Sequence, residues 1–312
     1  NGTTKVTLAA EKTLTNATNS LIEIEEGSSL NINGTLNDSG KITNNGTLAT
    51  IANGKIDILT GGTLDNNKTL TNVAGGEIDV EQGGTLSNNT GATYDNNGTF
   101  NVKDGATFNE NGTFNDHGTS TFGNANLNVY GAWNIYKATT NEGNLVIYKD
   151  GKITTVAPDG TLTNDNTILV KAGGTLENNT TLTNNAGKKI TNEGILDNTK
   201  TATFDNNGTY INSLTFNNEG TFNNKENASF TNAKTGTMTN PGTFNNAGAY
   251  VNAGAYNDQV TVEGAGTTKG TLTNTKTIDN QATGTMTING TLDTQKSTYN
   301  NDKTIDTKEA AT

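Results

Sequence analysis

The residues able to do chemistry are few in this chain. It holds one histidine, His117 in Asn115-Asp116-His117-Gly118, no cysteine, and 20 basic residues that are all lysine. Cleaving an acidic sugar needs a proton donor and acceptor held against the bond, and usually cations to hold the substrate. One histidine without any arginine does not assemble that set, and His117 reads as a solvated turn residue after Phe114. The acids Glu23, Glu25 and Glu26 form one outward run. The chain therefore reads as a non-enzyme, with a polysaccharide-active enzyme as the alternative.

Metal, cofactor and nucleic-acid chemistry are equally poorly provided for. Thiolate sites are excluded, an EF-hand loop and the Gly-Gly-x-Gly-x-Asp repeat are absent, and the acidic residues do not recur at a fixed coil position, so no metal or cofactor is expected. Net charge is −11, from 31 acidic against 20 basic residues, and no lysine cluster lies among aromatics, which disfavours nucleic acid. Two surfaces remain. Tyr130, Trp133, Tyr136 and Tyr148 fall in a stretch, 123–159, where the sequence rhythm loosens. They read first as aromatics packed over a solenoid edge and second as a partner-binding platform, two readings that the burial of Trp133 separates. Paired threonines such as Thr69 and Thr71, or Thr181 and Thr183, suggest an ice-binding array as a further alternative, but most words break it with Asn, Asp, Ser or Glu. Asn-x-Thr sequons at Asn33, Asn45, Asn67, Asn97, Asn111, Asn207 and Asn289 follow from a turn word, Asn-Gly-Thr, without invoking sugar.

What positions all of these is a strand repeat. Gly61-Gly62-Thr63-Leu64, Gly83-Gly84-Thr85-Leu86 and Gly105-Ala106-Thr107-Phe108 recur every 22 residues. Between them the apolar residues Ile56, Leu64, Leu70, Ile78, Leu86, Tyr94, Phe100, Phe108 and Phe114 are spaced by six or eight, always even. Even spacing keeps them on one side of an extended chain, which a helical period of 3.6 cannot do. In words such as Leu70-Thr71-Asn72, Leu182-Thr183-Asn184 and Phe222-Asn223-Asn224 the Asn shares the inward side with the apolar residue. An inward amide is costly unless bonded, and identical amides stacked at strand spacing satisfy one another as a ladder. A second word, as in Ile78-Asp79-Val80, puts an apolar residue at that place. The series runs on to Ile305, interrupted by a Gly-rich bulge or loop at 264–270.

Hydrophobic residues make up only 30% and mean hydropathy is −0.61, values that point toward disorder until the periodicity is considered. The 37 glycines and two prolines suit frequent tight turns between paired strands. The expected fold is all-β, a right-handed parallel β-solenoid with about three short strands per coil of about 18–22 residues, forming one domain over 1–312. No stretch is apolar enough for a membrane span. No signal peptide or initiator Met is present, so the chain is expected to be processed or a fragment.

At the repeated Leu-x-Asn-x-Gly-x-Ile pattern, of which Leu36-Asn37-Asp38-Ser39-Gly40-Lys41-Ile42 is a variant, the sequence resembles the repeats of filamentous-haemagglutinin-like adhesins and autotransporter passengers. The resemblance implies a right-handed parallel β-helix exported to the cell surface in a structural or adhesive role. The expected function is that of an extracellular structural protein that builds a fibre, surface layer or matrix, or serves as an adhesin stalk. Its expected partners are copies of itself, joined head to tail through open solenoid ends, and surface glycans or proteins.

Overall fold

Alternating threonine and apolar residues favour extended backbone while Asn and Gly favour its interruption, so each word makes one strand and one corner. The computed structural model describes residues 3–256 throughout and, beyond them, the backbone of the strands up to 307. It is all-β, a parallel β-solenoid with three strands per coil and no helix among the described residues. The chain divides into two compact units, Asn1–Thr161 and Leu162–Thr312.

In the first unit successive strands occupy three faces in turn. Lys5–Leu8 pairs with Ser29–Ile32 on face 1, Thr13–Asn16 with Thr35–Asp38 on face 2, and Leu21–Ile24 with Lys41–Asn44 on face 3. The order repeats to Lys152–Thr155, always parallel. The 22-residue tetrads lie directly over one another: Leu64 pairs with Leu86 and Leu86 with Phe108, as Ile56 does with Ile78 and Ile78 with Phe100. Coil length varies from 18 residues, between Leu30 and Leu48, to 24, between Leu70 and Tyr94.

Two kinds of corner explain the intervals of six and eight. Asn44 and Thr47 are joined by two residues, Asn45-Gly46, whereas Ile58 and Thr63 are joined by four, 59–62. A four-residue strand plus either corner gives the two spacings. The long corner turns at Gly61, whose φ of 77° is open to glycine at little cost. In the short corner a Cβ on Gly46 would lie 2.3 Å from the carbonyl oxygen of Ser28, so close stacking of coils excludes any side chain there.

The core is a set of columns inside the three faces. In the first unit Tyr94, Phe100, Phe108, Phe114, Phe122 and Trp133 are buried against one another, Trp133 lying 5.0 Å from Phe122 and 5.6 Å from Phe114 between ring centroids. The stretch 123–159 keeps the three-face order, with strands Asn126–Val129, Ala132–Ile135, Ala138–Asn141, Asn144–Ile147 and Lys152–Thr155.

The second unit repeats the architecture by itself. Thr175–Asn178, Ile195–Asn198 and Thr215–Asn218 stack on one face, Thr181–Asn184, Thr203–Asn206 and Thr221–Asn224 on the next, and Lys189–Asn192, Thr209–Asn212 and Ser229–Asn232 on the third. Phe204, Tyr210, Phe216, Phe222, Phe230, Phe244 and Tyr250 fill its interior, with Tyr210, Phe230 and Tyr250 stacked nearly parallel. The glycine-rich interruption expected near 264–270 contributes an antiparallel pair, Gln259–Val262 with Gly266–Lys269. The side chains of the apolar series beyond 256, and the sequon at Asn289, lie outside the described residues.

Candidate functional site

The most elaborate chemistry in the molecule is internal. On face 3, Asn44 Nδ2 donates to Asn66 Oδ1 at 2.7 Å and Asn66 Nδ2 to Asn88 Oδ1 at 2.7 Å; Asn88 Nδ2 then donates to both carboxyl oxygens of Glu110, at 3.0 and 2.9 Å. The second amide proton of each Asn goes to a backbone carbonyl one coil on, Thr69 O for Asn44 and Thr93 O for Asn66. The Asn44 oxygen also accepts from Gly46 N–H at the corner. Every donor and acceptor of such an amide is used, which is the condition for burying it.

Face 1 carries the same device from Thr50 through Asn72 and Asn96 to Asp116, at 2.7, 2.8 and 2.9 Å, and face 2 from Asn16 to Asp38 at 2.7 Å. Each of these three internal ladders donates toward later coils and ends in an acid. The reason lies one coil further on, where Glu110 pairs with Val129, Asp116 with Ile135 and Asp38 with Ile58. An Asn at the last place would aim an N–H at an aliphatic side chain; a carboxyl group accepts from the ladder through either oxygen and carries at most one proton, and none when ionised. The outward ladders run the other way, and several end in an acid as well, although that from Asn128 through Asn109 ends on the Ser87 hydroxyl. Asn134 donates to Asn115 and Asn115 to Asp95, Asn101 donates to Asp79, and Asn245 donates to Asn223 and Asn223 to Asp205, so the acid again stands at the accepting end.

Burial acts on the internal acids. Desolvation raises Glu110 to about 8, against the hydrogen bonds from Asn88 and Gly112, and it raises Asp38 and Asp116 from their usual value too. These three acids went unnoticed in the sequence, although Glu110 and Asp116 each occupy a place where the word otherwise has Asn.

On the outer side of face 2, Asp57, Asp79 and Glu81 bring carboxylate oxygens within 4.8 Å of one another. Asp57 and Asp79 are register partners, with Asn37 before them and Asn101 after them in the same column, so acids share this place over two coils. The cluster is already filled by cations: Lys55 Nζ lies 3.2 Å from Asp57, 3.1 Å from Glu77 and 3.0 Å from Asp79, and Lys103 Nζ 3.2 Å from Glu81. Burial works to raise Asp79, but the hydrogen bonds from Asn101 and Lys55 outweigh it and hold the carboxyl below its usual value. It is a salt-bridge network along the coils.

The aromatics singled out in the sequence separate into two groups. Trp133 is fully buried and cannot offer its ring to a partner, because its place in the strand Ala132–Ile135 faces the core, paired with Phe114 and Ile153. Tyr130, 41% exposed, and Tyr148 stack at 4.1 Å on the corners entering face 1. Tyr136 stacks on the exposed His117 at 3.8 Å on the corners leaving it. These pairs are outward counterparts of the ladders, made between like places on successive coils. His117 is thus a turn residue whose one ring face is covered.

No family model matches the chain, and no curated protein matches it. Among solved structures, the crystal structure of a TibC-catalyzed hyper-glycosylated TibA fragment is similar over 98% of this chain and 98% of that one, with 16% identity and a TM-score of 0.36. A likeness that distant carries no argument about function.

Proposed function

We propose that the protein is a non-enzymatic extracellular structural protein whose solenoid associates end to end into a fibre, surface layer or matrix. The observation behind this reading is the stacking of like coils: within each unit strands pair in parallel and in register with their counterparts one coil on, as Leu64 does with Leu86 and Leu86 with Phe108, or Phe204 with Phe222. A coil that pairs with its neighbour through the same strands in the same register is a template for a further one, in another chain as in its own. Pairing that does not close gives a filament.

The second use, an adhesin stalk, is favoured by the resemblance of the repeats to those of surface adhesins. Light scattering and electron microscopy of the purified chain over a range of concentrations distinguish the two. Growth into linear assemblies supports the building-block reading. A stable monomer at every concentration removes it and leaves the stalk.

A further inference from the structure

The three internal acids occupy positions in conflict. The ladder below each asks for an acceptor, which the ionised carboxylate supplies best; the aliphatic residue above each, Ile58, Val129 or Ile135, offers nothing to solvate a charge. Asp38 and Asp116 each have one carboxyl oxygen, Oδ2, buried without a hydrogen-bond partner. Among the described residues no charged side chain acts on Glu110 or Asp38. Glu110 meets only Asn88 and the Gly112 N–H; Asp38 meets Asn16 and the N–H groups of Gly40 and Thr63. Asp116 meets Asn96, Ser120 and the Gly118 N–H, with His117 beside it and the buried hydroxyl of Tyr94 close enough to sense its charge.

We propose that Asp38, Glu110 and Asp116 make the first unit pH-responsive: neutral, they let the coils above them pack, and ionised, they loosen those coils, while residues 162–256 hold firm. The contrast rests on geometry. Among the described residues of the second unit no acid is buried, and its internal ladders are Asn throughout. The sign follows from linkage. A carboxyl raised in the folded state binds its proton more tightly there than in the unfolded chain, so its contribution is complete below the unfolded value, 4.5 for Glu, and is lost as pH rises through the folded value of about 8. A solenoid of this kind is tighter in mildly acidic surroundings than in alkaline ones.

The test is amide hydrogen exchange on the full chain between about pH 5 and pH 9, corrected for intrinsic rates, with the second unit as internal reference. Opening of strands Thr107–Glu110 and Asn126–Val129 should rise by up to roughly tenfold per pH unit while Glu110 titrates, relative to Thr203–Asn206 and Thr221–Asn224. Glu110→Gln should remove that step at these strands. Equal pH dependence in both units, or a step that persists in Glu110→Gln, overturns the proposal. Should that variant fail to fold, the infrared band of protonated carboxyl in the unaltered protein decides: present near pH 6.5 and gone near pH 9 supports it, and absence at both overturns it.

Discussion

The two units solve one problem with different residues. Both must fill the fourth place of each strand, which faces inward beside the corner. In residues 162–256 all three columns run in asparagine once Val170 is passed: Asn164, Asn184, Asn206, Asn224 and Asn246 on one face, Asn178, Asn198, Asn218 and Asn240 on another, and Asn192, Asn212, Asn232 and Asn252 after Val170 on the third. In the first unit each column changes along its length, as on face 2 from Asn16 and Asp38 to Ile58, Val80, Val102 and Phe122. What the difference teaches is that amides and aliphatics serve equally well, and that the junction between them is where chemistry is needed. Wherever a described ladder meets an aliphatic coil above it, an acid stands at the junction.

The sharpest way to break the comparison is to put each residue type into the other's column. Asn206→Leu takes the acceptor from one Nδ2 proton of Asn184, whose other proton stays on Thr209 O, and the Asn206 Nδ2 donor from Asn224 Oδ1, and Val102→Asn places an amide between Val80 and Phe122. Each should destabilise by about 3 kcal/mol or more in denaturant unfolding, because each buries unpaired polar groups. If either costs less than about 1 kcal/mol, the columns are interchangeable and the ladders contribute little.

A smaller effect sharpens the account of the outer surface. Lys55 joins three acids on face 2 of the first unit but is partly exposed. Lys55→Met should cost about 1 kcal/mol at low salt and less at high salt. Asp79, held below its usual value, gives stability that is present at neutral pH and lost as pH falls through its folded value. This opposes the alkaline loosening set by Glu110, so the first unit should show a stability maximum between the two, and thermal unfolding against pH measures it. The smallest effect belongs to the outward ladder: Asn67→Ala, at an exposed corner, should change stability by no more than about 0.5 kcal/mol.

The strand repeat was readable in the sequence because two corner lengths, both even, preserved the inward parity from Ile56 to Phe114. The inward Asn was readable for the same reason. The stretch 123–159 looked irregular for two physical reasons that the structure makes plain. The corner 123–125 has three residues, an odd number, and the inward second place holds Ser120 and Thr139 in the strands Thr119–Phe122 and Ala138–Asn141, so no apolar residue marks it. Trp133 therefore seemed a surface candidate although it continues the column of Tyr94 and Phe114. The acids at the ladder ends were hidden differently. A single Glu or Asp in a polar word looks outward, and only the knowledge that its neighbour one coil on is aliphatic gives it meaning.

The account depends most on the internal amides being bonded coil to coil, and nuclear magnetic resonance of the Asn side chains tests that directly. The Nδ2 protons of Asn66, Asn88, Asn184 and Asn206 should exchange with solvent far more slowly than those of the outward Asn45, Asn67 and Asn89, and each should show a coupling across the hydrogen bond to the next coil. Fast exchange at the inward positions, matching the outward ones, would contradict it.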